Sequence, residues 1–98
     1  MAQRAAIVTG GSSGIGLGIA RVLGEEGYGL TVAARRPEKL EEAVEGLRAD
    51  GYDVNSVSGN LADEALVQEV VRSHRERFGR LDVLVNNAGL GAGEASAS

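Results

Sequence analysis

The feature that most constrains this chain is a glycine loop set between two runs of different period. Ala5-Ala6-Ile7-Val8 is a short apolar run and reads as a buried strand. Thr9-Gly10-Gly11-Ser12-Ser13-Gly14-Ile15-Gly16 follows it. From Gly14 the spacing becomes helical, with Ile15, Ile19, Val22 and Leu23 as apolar positions and Gly27 as the stop. A strand–loop–helix of this kind suits a phosphate. Glycine lacks a Cβ, so the chain can turn sharply and its backbone can come close to a ligand. The N–H groups and dipole of the following helix then face negative charge. Gly10, Gly14 and Gly16 occupy that junction, and Ser12 and Ser13 add hydroxyl donors. The loop is therefore the expected seat of a dinucleotide's pyrophosphate. Its Gly-x3-Gly-x-Gly spacing is not the G-x-G-x-x-G of the commonest dinucleotide fold. It is not a P-loop either, because no Lys-Ser/Thr follows. The competing reading is a glycine-rich turn that binds nothing, and the elements downstream weigh against it.

Those elements alternate. Leu30 to Ala34 is a second apolar run and a second strand. Pro37 suits a first helical position, and Leu40, Ala43, Val44 and Leu47 give one apolar helix face up to Gly51. Val54 to Val57 is a weaker third strand. A third helix is expected from about Asp63 to Phe78, with Leu66, Val67, Val70, Val71 and Phe78 as its apolar face and Gly79 as its end. Leu81 to Val85 is a fourth strand, closing at Asn86-Asn87-Ala88-Gly89. The order β-α-β-α-β-α-β implies a parallel sheet with crossover helices. The expected fold class is α/β, a partial Rossmann-like doubly wound sheet in the order 3-2-1-4. Residues 1–89 form one domain in this reading, and residues 90–98, rich in Gly, Ala and Ser, form a disordered tail.

Composition narrows the functions. A chain of 98 residues allows one domain at most. Its net charge of −4 argues against a nucleic-acid surface. Of its ten basic residues, Lys39 is the one lysine. With no cysteine there is no disulfide, thiolate metal site or cysteine nucleophile. No signal-peptide pattern or membrane-length apolar stretch stands in the sequence, so the expected location is cytoplasmic, away from membranes.

Two motifs in this order carry a family likeness. Thr9-Gly10-x3-Gly14-Ile15-Gly16 resembles the glycine signature of the short-chain dehydrogenase/reductase family. Asn86-Asn87-Ala88-Gly89 resembles that family's motif after the fourth strand. The resemblance covers Ala5 to about Gly89 and implies the N-terminal, cofactor-binding half of an oxidoreductase. It implies that the loop cradles the pyrophosphate and that residues after the second strand meet the adenosine ribose. Asn60-Leu61 resembles the pair that contacts adenine. Many members have Asp where Asn60 stands, and an Asn oxygen can still accept from the adenine amino group. Asn87, Ala88 and Gly89 would line the ribose side and brace the central sheet.

The end of the second strand bears on which dinucleotide. An acid there accepts from the ribose 2′-OH of NAD, whereas an Arg suits the 2′-phosphate of NADP. The acid's place is taken by Ala34, and Arg35-Arg36 follow at once. A charge-assisted Arg–phosphate contact is worth roughly 1.5–3 kcal/mol, or about tenfold to a hundredfold in affinity. The expected cofactor is NADP(H) rather than NAD, with Arg35 the first candidate and Arg36 the second.

Other residues read more plainly. His74, one turn after Val70 and Val71 on the third helix, is expected to be a boundary residue between core and surface, and no second His exists to build a metal site. Arg72, Arg75, Arg77 and Arg80, interleaved with Glu69 and Glu76, read as a solvated helix face. No catalytic residue is assigned. The family's chemistry resembles acid catalysis by a Tyr with a Lys four residues later and a Ser upstream. Here Tyr28 is followed at that distance by Val32, and Tyr52 by Ser56. Hydride transfer between nicotinamide and a carbonyl or alcohol thus belongs to a longer parent, and these 98 residues are expected to be inert alone. The alternatives are a stand-alone nucleotide-binding module, a non-catalytic partner subunit, or a gene that continues past Ser98. Without a fifth strand, Val83-Leu84-Val85 would be a sheet edge open to self-association or to a partner chain.

Overall fold

The computed structural model describes residues 3–10 and 14–87. Their elements are β1 (Ala5–Thr9), α1 (Gly14–Glu25), β2 (Gly29–Ala34), α2 (Pro37–Ala49), β3 (Val54–Ser58), α3 (Glu64–Phe78) and β4 (Val83–Asn86). The four strands form one parallel sheet in the order β3-β2-β1-β4. Ala6 lies beside Leu30 on one flank and Val83 on the other. Leu30 in turn lies beside Val54. This is the α/β sheet expected from the alternating periods. The assignments to Gly11, Ser12, Ser13, Ala88, Gly89 and the tail 90–98 lie outside the described residues.

The period-2 rule divides the sheet into two faces. Ala6, Val8, Leu30, Val32, Ala34 and Val54 face α1 and α2, which add Ala20, Leu40, Val44 and Leu47. Ile7 and Ala33 face α3, where Val70 meets them. The face of α2 is as expected, because Leu40, Ala43, Val44 and Leu47 are all buried. Pro37 starts that helix, and Arg48 ties its end to β3 by donating to the Val54 carbonyl from Nε at 3.2 Å and Nη2 at 2.7 Å.

Helix α1 departs from expectation. Its buried residues are Gly16, Ala20 and Gly24, while Ile15 and Val22 are exposed. The large aliphatic residues marked a helix correctly but not its inward face. The small residues at i, i+4 and i+8 let the helix sit close: a Cβ on Gly24 would lie 2.6 Å from the Tyr52 ring. Helix α3 departs only in part, since Leu66 and Val70 face the sheet as expected. Val70 and His74 are its buried residues, and Val67 and Val71 are exposed. Its ends follow the rules for caps. The Asp63 side chain accepts from Ala65 N–H at 3.0 Å, and Gly79, at φ 76°, donates to the Arg75 carbonyl at 2.8 Å.

Strand β4 begins two residues later than the apolar run suggested. Asp82 explains the shift. Its backbone N–H donates to the Ala5 carbonyl, and its Oδ2 accepts from Ala5 N–H, both at 2.8 Å. A side chain thus replaces the ladder there. Arg80 grips the same carboxylate through Nε at 2.9 Å and Nη2 at 2.8 Å. The Arg80 guanidinium first, and the Ala5 N–H second, hold the Asp82 carboxyl below the usual carboxylate range.

Candidate functional site

In a parallel sheet the C-terminal ends of all strands share one edge, so four separated sequence segments converge there. They are Thr9-Gly10 after β1, Arg35-Arg36 after β2, Gly59-Asn60-Leu61 after β3 and Asn86-Asn87 after β4. In the order β3-β2-β1-β4 the chain steps from β1 through β2 to β3 on one side and then crosses back to β4 on the other, and a crevice outside such a switch point is where ligands bind in this class.

The glycine loop is anchored on both flanks. Gly10 N–H donates to the Ala33 carbonyl of β2 at 2.7 Å. On the β4 side, Asn87 N–H donates to the Thr9 carbonyl at 3.2 Å, and Asn87 Nδ2 donates to the Gly10 carbonyl at 3.3 Å. The Thr9 hydroxyl lies 3.0 Å from Asn86 Oδ1 and 3.3 Å from the Val85 carbonyl. Gly10 and Gly14 hold φ of 72° and 60°, a left-handed conformation that side chains disfavour. Gly16 is needed for a different reason: its Cα faces the Gly10 carbonyl so closely that a Cβ would collide with it and come within 2.8 Å of Asn87 Nδ2. The first turn of α1 has no acidic residue, so its N-terminal N–H groups face this edge without a competing carboxylate.

The other positions divide into those aimed outward and those used by the fold. Ile15, Arg35 and Arg36 are exposed, and among the described residues neither Arg35 nor Arg36 is held in an ion pair. Arg36 is the N-cap residue of α2 and makes no side-chain cap, so the first turn of that helix also leaves backbone donors at this edge. Asn60 Oδ1 accepts from Ala62 N–H at 3.0 Å, an Asx turn that fixes the side chain after β3. Leu61 is half-buried and packs on Ile7, Ala33 and Val70. Asn87 braces the loop through the Thr9 and Gly10 carbonyls, whereas the family likeness implied a place on the ribose side and a brace for the central sheet. The sequence did not single out Thr9, Asn86 or the Ala33 carbonyl as parts of that brace. Thr9 and Asn86 stand in the two motifs without a role of their own, and the Ala33 carbonyl has no signal beyond its place near the end of β2.

The bland reading of the α3 arginines holds only in part. Arg72 pairs with Glu69 and Glu76 on the exposed helix face. Arg77, however, reaches Asp53 before β3 at 2.6 Å, and Arg80 holds Asp82. His74 is a correction: it is fully buried, not a boundary residue.

A family model of the short chain dehydrogenases matches residues 4–98. The chain belongs to the short chain dehydrogenase family. Among its relatives, the 3-oxoacyl-(acyl-carrier-protein) reductase FabG of Staphylococcus aureus is 46% identical over 88 residues, which is 89% of this chain and 36% of FabG. A variant of actinorhodin polyketide ketoreductase, solved with NADPH, superimposes with a TM-score of 0.85 at 41% identity, covering 91% of this chain and 35% of that one. A short-chain dehydrogenase/reductase of Burkholderia phymatum, solved with NAD, gives a TM-score of 0.82 at 30% identity, covering 85% and 30%. The chain therefore spans about a third of the length of the short chain dehydrogenases it matches.

Proposed function

We propose that this chain is the cofactor-holding N-terminal portion of an NADP(H)-dependent short-chain oxidoreductase. The observation that carries this reading is the shared edge itself. Gly10 and Gly14, in their left-handed conformations before and at the start of α1, share this edge with exposed Arg35 and Arg36, which follow Ala34 in the place of an acid. The residues fit a dinucleotide: backbone donors for the pyrophosphate, guanidinium groups for a 2′-phosphate, and the Asn60 side chain for adenine. Ser12, Ser13, Ala88 and Gly89 complete the set by their place in the two motifs. Asn87 acts by holding the Gly10 carbonyl, which keeps the loop in the shape that α1 requires.

A bound nicotinamide would supply or accept the hydride exchanged with a carbonyl or alcohol in the parent. The residues of this chain orient that cofactor and leave proton transfer to others, because residues 1–98 contain no Tyr with a Lys four residues later. One structural relative was solved with NADPH and another with NAD, so the choice between them rests on Ala34, Arg35 and Arg36. Fluorescence titration of the 98-residue chain with NADPH and with NADH tests it. NADPH is expected to bind more tightly, and Arg35→Asp to lower the NADPH-to-NADH affinity ratio by about tenfold to a hundredfold. An unchanged ratio would remove Arg35 from the assignment, and no binding of either nucleotide would remove the reading.

The outer edge of β4 is the natural place for a further strand, whether from the parent's own chain or from a second copy. Its support is position alone: β4 ends the described sheet, and its Leu84 is 61% exposed.

A further inference from the structure

We propose that His74, Thr31, Asn55 and Ser73 form an acid-released clasp that fastens α3 to the sheet. His74 is 0% exposed, in the C-terminal half of α3. Its Nδ1 lies 2.6 Å from Thr31 Oγ1 in the middle of β2. Asn55 of β3 joins the same group, donating from Nδ2 to Thr31 Oγ1 at 3.3 Å and to Ser73 Oγ at 3.0 Å. Three elements thus meet at one hydroxyl, on a face where Val70 is the one buried aliphatic residue that α3 contributes. The cluster is polar where the core of the opposite face is aliphatic, and it joins α3 to both β2 and β3.

The imidazole is poorly provided for as a cation. Its Nε2 is buried and has no hydrogen-bond partner. Thr31 and Asn55, facing it from β2 and β3, are neutral. The Phe78 ring packs against it, with centroids 5.0 Å apart. Charged groups come from two places. Arg77, one helical turn on, lies over Phe78 and pairs with Asp53. Arg80 and Asp82 lie in the segment leading to β4, and that carboxylate is already committed to Ala5 and Arg80. No carboxylate is left for an Nε2–H. Protonation would put a charge into the interface with no free carboxylate to pair it, which is costly when buried.

Burial accordingly pushes the His74 pKa below its ordinary 6.5, against weaker upward pulls from the Arg80 backbone and Asp82. The unfolded chain then binds one more proton than the folded chain between the two values. The clasp's contribution is whole above about pH 6.5 and is lost as pH falls toward the folded value. Within that window the folding constant drops by up to about tenfold per pH unit.

His74 is the one histidine of the chain, so its ring Cε1–H resonance is unambiguous by NMR. In the 98-residue chain that resonance is expected to titrate below pH 6.5. A ring that titrates at 6.5 or above overturns the clasp. Urea unfolding between pH 7.5 and 5.5 gives a second measurement. The fall in folding constant is expected in the native chain and flattened in His74→Gln, and parallel slopes in the two proteins overturn the proposal as well. Neither measurement involves a nucleotide, so the cofactor reading stands or falls separately.

Discussion

The two faces of the sheet are built on different principles. The face toward α1 and α2 is apolar, with Val8, Leu30, Val32, Val44 and Leu47 all close to fully buried and Tyr28 and Tyr52 packed at its margin. Two helices cover it, and small residues let α1 approach closely. The face toward α3 has one helix, a short list of aliphatic contacts and a buried polar group centred on Thr31. It also leaves Leu84 of β4 exposed beside buried Ile7. The first face draws its stability from area removed from water, about 25 cal/mol per Å². The second depends on hydrogen bonds whose net worth is small while made and whose loss is costly. The ion pairs do not alter this contrast, because Arg21–Asp50, Arg72–Glu69 and Arg72–Glu76 all lie substantially in solvent.

Mutations should separate the faces. Leu47→Ala in the aliphatic face should have the largest effect, about 2–5 kcal/mol of stability by urea unfolding, because it leaves a cavity among packed neighbours. Thr31→Val keeps the volume but strands His74 Nδ1 and one bond of Asn55. It should cost about 1–3 kcal/mol at neutral pH. If Thr31→Val proved neutral, the second face would be held by packing after all. Leu84→Ser should be smallest, within about 0.5 kcal/mol, since the residue packs against little in this chain. In sedimentation the native chain should self-associate through the β4 edge, and Leu84→Ser should weaken that association. A native chain that stays monomeric at every concentration would exclude edge pairing between copies.

The cofactor edge contrasts with both faces. Its residues are conspicuous in the sequence because each has a local signal. Gly10 and Gly14 take positive φ, and Arg35-Arg36 put exposed charge directly after β2. The clasp was not conspicuous. His74, Thr31 and Asn55 are far apart in the chain, and each has an ordinary reading by itself. A lone His near two valines suggests the boundary between core and surface, and Thr suits a strand anywhere. Their meeting depends on the lateral order of β2 and β3 and on which side of α3 turns inward.

The sequence by itself determined the order of the elements, the parallel sheet, the inward face of α2 and the position of the glycine loop. Those follow from local rules: the period of apolar residues, Pro37 and Gly79 at helix ends, and glycine at strand–helix junctions. Only the tertiary structure decided that α1 turns its glycines rather than its isoleucines to the sheet. It also decided that Asp82 replaces the first rung of β4 and that His74 is buried with one nitrogen unpartnered. Each of these depends on the distance between two surfaces. Hydrophobic periodicity records that a helix has a buried side, but the space available on that side is set by the neighbour it meets.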